Sequence, residues 1–179
     1  STRDAAVRAG RLLAGEYDLL GYRGLRFVRP GGAARPPDWH YDPIHRRSPA
    51  TTFWSTVPFL DPECGDHKII WELNRHQHWL ALGRAHWLTG EPSYRQRGLA
   101  ELASWMTANP PLIGINWASM LELAFRSLSW TWALHFFADG AEDDREPWIV
   151  DLLLGLDTQL AHIEHNLSYY FSPNTHLIG

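Results

Sequence analysis

The sequence predicts an all-α protein: antiparallel helical hairpins in series, forming part of an incomplete α/α toroid, with a long Pro/Gly-rich loop near the N-terminus. Three observations lead there. From residue 66 onward, apolar residues recur with the 3.6-residue helical period in four successive stretches. Short turn-marked connections join these stretches in pairs, which makes neighbours antiparallel. The stretches also carry Trp on more than one face. The inner helices of a closed ring need two buried faces, and none of the common helical-repeat patterns that would favour a solenoid is present.

The elements follow in order. Residues 3–20 place Ala6, Ala9, Leu12, Leu13 and Leu20 at near-helical spacing, and Gly21 stops that stretch. Residues 21–65 are interrupted by Pro and Gly, with short strands expected at 24–29. Trp39, His40, Tyr41, Phe53 and Trp54 fall inside this segment, so it reads as an ordered loop, and long ordered loops are commonly functional. A helix is expected from Asp66 through Ile69, Ile70, Leu73, Gln77, Leu80 and Trp87, ending at Thr89-Gly90. Pro92 suits a first helical position after Glu91, and Asn109-Pro110-Pro111 ends that helix. Asn116 is placed to cap a third helix that runs to Asp139-Gly140. A fourth starts near Pro147 and runs through Leu167, and a further helix is expected to begin at residue 174. A domain seldom ends on the first turn of a helix, so residues 1–179 read as a single domain that is the front part of a larger ring.

Composition bounds the function. With 45% hydrophobic and 20% charged residues, the 179-residue chain is globular. A net charge of −4 gives no global basic field for nucleic acid. The charge is uneven: residues 1–47 hold nine Arg against five acids, which favours an anionic ligand there. Cys64 is the only cysteine, so no internal disulfide forms. No apolar run of about 18 residues is present to span a membrane, and no signal peptide is visible at Ser1. Ten Trp and ten His are the compositional anomaly. Most belong to the core, but the surplus also suits a groove that stacks on sugar rings.

Six constellations bear on chemistry. Asp38-Trp39-His40-Tyr41-Asp42-Pro43 can stack a sugar and bind its hydroxyls, or be a turn held by its Asp side chains with Trp39 as a core plug. In Trp71 to Trp79, the residues Asn74, Arg75, Gln77 and His78 can line a groove; alternatively Glu72 bonds Arg75 or His76 internally. On one helix His76 and His78 would lie about 200° apart and could not share a metal. Trp117, beside Asn116 at a helix mouth, is a candidate sugar platform. Glu122 and Arg126 have the spacing of a salt bridge, although Arg126 could instead grip a uronate carboxylate. His162 and His165 share a face but lack a third ligand, so no metal site is assigned and no cofactor is expected. Asn174-Thr175-His176 offers an amide and an imidazole, the pair that proton abstraction beside a carboxylate requires.

Taken together, Asp38-Trp39-His40 with Asp42-Pro43, Lys68 to Trp79, Leu88-Thr89-Gly90, Asn109-Pro110, Gly114 to Trp117 with Leu121-Glu122, Ser129 to Ala133, and Ser172 to His176 resemble the N-terminal helical domain of heparinase II/III-like polysaccharide lyases. The resemblance implies an α/α toroid followed by a β-sandwich domain. It implies β-elimination on a uronic-acid polysaccharide of heparan-sulfate or alginate type. It makes Asn174 and His176 the catalytic candidates, completed by a Tyr and a His from later in the longer protein. Substrate contacts would fall on Trp39, His40, Asn74, Arg75, His78, Asn116, Trp117, Glu122 and Arg126. Relatives often have Asn and His adjacent, or a differently spaced Asn, whereas Thr175 intervenes here. Periplasmic or secreted localisation follows family habit. A glycoside hydrolase on a similar toroid would need two inward carboxylates, from Asp38, Asp42, Glu72 and Glu122. A non-catalytic carbohydrate-binding or scaffold module is the third alternative.

Overall fold

The computed structural model describes residues 1–32, 36–138 and 146–167. Its first helix, α1 (Thr2–Leu13), opens on a capping box between Ser1 and Asp4. It ends earlier than the sequence suggested. Residues 17–25 instead form a two-stranded antiparallel hairpin, β1 (Tyr17–Leu19) and β2 (Tyr22–Leu25). The connecting Leu20 and Gly21 both have positive φ, 53° and 85°, as a tight two-residue hairpin turn demands. Arg11 holds the hairpin to α1 through Glu16 and Asp18.

Residues 26–66 contain only isolated bridges and two single 3-10 turns among those described. The segment is nonetheless packed: Phe27, Trp39, Tyr41, Val57 and Cys64 are buried. Asp42 gathers it, accepting from the backbone N–H groups of Ile44, His45 and Asp66 and from the His45 ring. Burial raises the Asp42 pKa, but these donors outweigh it and hold the carboxyl below its ordinary range.

The single helix expected from 66 to 89 is two, α2 (His67–Asn74) and α3 (Gln77–Thr89). The chain breaks at His76, whose φ of 57° is left-handed. That conformation costs about 1–2 kcal/mol for a non-glycine residue. It is held because the His76 ring stacks on Trp79 at 3.9 Å and accepts the Trp130 indole N–H at Nδ1. α4 (Pro92–Ala108) begins and ends where Glu91, Pro92 and Asn109 indicated. α5 (Met120–Phe137) starts after Ser119, following a 3-10 turn at Ile115–Trp117, so Asn116 is not its cap. α6 (Pro147–His165) completes the described helices.

α1, α3 and α5 lie side by side, while α4 packs on α3, and α6 on α5 and α4. α5 approaches α3 and α4 closely because an interior glycine on each faces one of its phenylalanines. A Cβ on Gly83 would lie 2.5 Å from Phe136 Cβ, and one on Gly98 2.3 Å from Phe137 Cζ. Between the layers, Trp39, Trp79, Trp105, Trp117 and Trp130 form the centre of the core with Leu73, Leu82, Leu102, Leu123 and Leu152. No described helix is long and apolar enough to cross a membrane.

Candidate functional site

The residues singled out from the sequence separate into three clusters. The first is a buried polar spine. Asn74 Nδ2 donates to the carbonyls of Trp39 and Ile70, and its Oδ1 accepts the Trp105 indole N–H at 2.8 Å. Asn116 Nδ2 donates to Asn109 Oδ1 and to the Trp39 carbonyl. Arg126 is completely buried. It donates to Gln159 Oε1 and to the carbonyls of Asn116 and Asn74, beneath the Trp105 and Trp117 rings at 4.5 and 5.9 Å. Burial lowers its pKa to about 9, and the Glu122 charge opposes that. It therefore stays a cation at neutral pH, solvated by carbonyl dipoles and π faces instead of water. Trp39 and Trp117 are 2% exposed, so both lie inside this spine rather than at a surface.

The second cluster corrects a pairing. Glu122 is not bridged to Arg126 four residues on. It is held by Arg75 across 47 residues, with Nε–Oε2 at 2.6 Å and Nη2–Oε1 at 2.9 Å. Arg75 Nη1 also donates to Glu72 at 2.8 Å, and the guanidinium sits 4.7 Å over Phe125. A bidentate fork is the strongest geometry open to this pair. Glu122, which holds the fork, raises the Arg75 pKa despite desolvation.

Sequence reasoning missed the residue at the heart of the third cluster, Glu101. Its Oε1 accepts from Tyr17 Oη and Arg97 Nε, and its Oε2 from His78 Nε2 and Trp79 Nε1, all at 2.8 Å. Burial raises the Glu101 pKa, but His78, Arg97 and Tyr17 together bring it down to about 2. Burial, then the Glu101 charge, pushes the Tyr17 phenol well up, so Tyr17 remains a donor. A signal existed: Glu101 continues the apolar stripe of Tyr94, Gly98 and Trp105 on α4, where a lone carboxylate must have partners. A carboxylate only accepts, so His78 donates through Nε2 and its ring orientation is fixed from behind.

His78 opens onto a small cavity of about 130 Å³ that also includes Tyr17, Glu72, Gln77 and Arg8. Arg8 and Gln77 lead from it into a larger groove of about 570 Å³ running along α3 between α1 and α5. Of the four residues expected to line a groove, Gln77 and His78 do; Asn74 is buried and Arg75 is clamped by its two carboxylates. His40 stands apart, half-buried, its backbone N–H on Asp38 and its Nε2 without a partner among the described residues. Burial lowers its pKa, and nearby Asp38 partly restores it.

Among the described residues no group of three or more potential ligands could hold a metal ion. His162 bonds the Trp117 carbonyl and His165 the Ala161 carbonyl, so the two do not converge. Asn174 and His176 lie outside the described residues.

A family model described as the heparinase II/III N-terminus matches residues 27–178. Comparison with curated proteins gives no match, and comparison with solved structures gives none. The matched span starts after β2, takes in all three clusters apart from Tyr17, and reaches past Asn174 and His176. The chain belongs to the heparinase II/III N-terminal family.

Proposed function

We propose that this chain is the helical part of a polysaccharide lyase that cleaves a uronic-acid-containing polymer, of heparan-sulfate or alginate type, by β-elimination. The observation that carries the reading is the family match over residues 27–178, which includes the Asn174-Thr175-His176 segment. In this reading α1 to α6 are the first part of an α/α toroid, a β-sandwich domain follows, and the whole protein acts in the periplasm or outside the cell.

Elimination requires removal of the proton beside the uronate carboxylate, delocalisation of charge onto that carboxylate, and departure of the glycosidic oxygen. Asn174 would donate its amide N–H groups to the carboxylate as it gains enolate character. His176 would take or shuttle the proton. A Tyr and a second His from elsewhere in the protein would protonate the leaving oxygen. Of the substrate-contact candidates, His78 lines the smaller cavity with its Nε2 held by Glu101, and His40 keeps a buried Nε2 without a partner among the described residues. Trp39, Asn74, Arg75, Asn116, Trp117, Glu122 and Arg126 would act by fixing the backbone and helix ends behind them.

The hydrolase alternative draws no support from the carboxylates proposed for it. Glu72 and Glu122 both clamp Arg75, Asp38 pairs with Arg29, and Asp42 is saturated by N–H donors. The test is turnover of uronate polymers by the full-length protein carrying this chain, followed by the ultraviolet absorbance of the unsaturated product. Asn174→Ala and His176→Ala should each lower the rate by about 10²–10⁴-fold. New reducing ends without that absorbance would replace elimination by hydrolysis. Sugar binding indifferent to both substitutions, with no turnover, would leave a non-catalytic module.

A further inference from the structure

We infer that the groove along α3, between α1 and α5, is a binding site for an acidic oligosaccharide. The inference deepens the lyase reading and rests on it for the polymer class. Its volume, about 570 Å³, lies within the range of formed ligand sites. Three features of its lining define the ligand.

The first is charge. Arg11, Arg26, Arg29, Arg47, Arg75, Arg95 and Arg97 each hold a carboxylate. Arg8 and Arg84 make no ion pair or hydrogen bond among the described residues, and both line this groove. Its one acid, Asp4, is engaged by the Ser1 hydroxyl of the α1 capping box. Where the groove meets the smaller cavity, Glu16 and Asp18 are paired with Arg11, and Glu72 with Arg75. Two guanidiniums against the single carboxylate of Asp4 leave the groove net positive. Guanidinium forks suit carboxylate or sulfate groups bidentately.

The second feature is an aromatic surface. Trp132 lines the groove and is 52% exposed, alongside Leu128 at 59%. Beyond it, Trp132 stacks on Phe136, and Trp87 meets Phe136 edge-on at 5.5 Å. An exposed apolar patch rimmed by polar groups marks a binding surface. With cations beside it, the patch fits a sugar ring that has an apolar C–H face and an anionic substituent.

The third is hydrogen-bonding capacity. Gln77 is exposed at the junction of groove and cavity, where its amide can both donate to and accept from hydroxyls. α1, which supplies Arg8, precedes the family match at residue 27, so one wall of this site lies outside the matched span.

The shared chemistry is an anionic group on a pyranose, and the experiment separates its two sources. Binding of an unsulfated uronate tetramer, a sulfated uronate tetramer and a neutral tetramer to the full-length protein is measured by calorimetry. Arg8→Ala, Arg84→Ala and Trp132→Ala are compared with wild type; these positions are exposed, and matching thermal transitions establish that the variants fold. Both acidic tetramers, or the sulfated one alone, should bind more tightly than the neutral one. Each substitution should weaken that binding about 10-fold, and added salt should weaken it further. Equal affinity for the neutral tetramer, variants within two-fold of wild type, or no binding at all overturns the site. The elimination assay on the same proteins keeps the two readings apart. Elimination with unaltered tetramer binding in the variants removes the groove and leaves the lyase. Groove-dependent binding without unsaturated product from any polymer removes the lyase and leaves a carbohydrate site.

Discussion

Replacing Glu101 by Gln should be among the most damaging single-atom changes available to this protein. Four donors converge on its carboxylate, two on each oxygen. Whichever way the amide is turned, its NH₂ meets an obligate donor: Arg97 Nε–H on one side or the Trp79 indole N–H on the other. Arg97, only 8% exposed, also loses its counter-charge. Removing one partner of a buried ion pair costs about 3–5 kcal/mol. Titration gives a similar magnitude. A carboxyl that titrates at 4.5 unfolded and about 2 folded contributes on the order of 3 kcal/mol. Because the folded value is the lower one, this contribution is complete above pH 4.5 and is lost as pH falls toward 2. Urea unfolding followed by tryptophan fluorescence measures both. Glu101→Gln should lose about 3–5 kcal/mol at pH 7, and between pH 5 and 2 its stability should fall less steeply than that of wild type. A loss under about 1 kcal/mol, or identical pH dependence, would refute the claim that this charge organises α3 and α4.

Three further substitutions probe the packing. Gly83→Ala places a methyl 2.5 Å from Phe136 Cβ; about 1–3 kcal/mol of overpacking should exceed the roughly 1 kcal/mol gained in helix propensity, giving a net loss by urea titration. Trp130→Phe removes the N–H donated to His76 Nδ1 and should cost about 1–3 kcal/mol in the same assay. Arg75→Met leaves Glu122, 5% exposed, without its fork; since Arg75 is itself partly exposed, a loss of about 2 kcal/mol is expected by thermal or urea unfolding.

The parts legible in the sequence were those decided locally. Pro92 after Glu91, Asn109 before two prolines, and Pro147 mark helix ends because their backbone preferences allow little else. The break at His76 was hidden because its left-handed backbone is sustained by Trp79 and by Trp130, 54 residues away. The hairpin turn was obscured because Leu20, not a typical turn residue, takes positive φ in front of Gly21. Glu122 with Arg126 satisfied the helical spacing rule, yet the better-oriented fork came from Arg75 on another helix. Asn116 looked like a cap, but it lies within a 3-10 turn and its amide is drawn to Trp39 and Asn109. The charged residues of the site were visible as types; their partners, lying far along the chain, were not.

The most direct test of the lyase reading is the ultraviolet time course of the full-length protein on uronate polymers, with Asn174→Ala measured beside wild type. Absorbance from an unsaturated product should rise with wild type and fall by at least about 10²-fold in rate with the variant. Polymer cleaved without that absorbance, or cleaved equally well by Asn174→Ala, would contradict it.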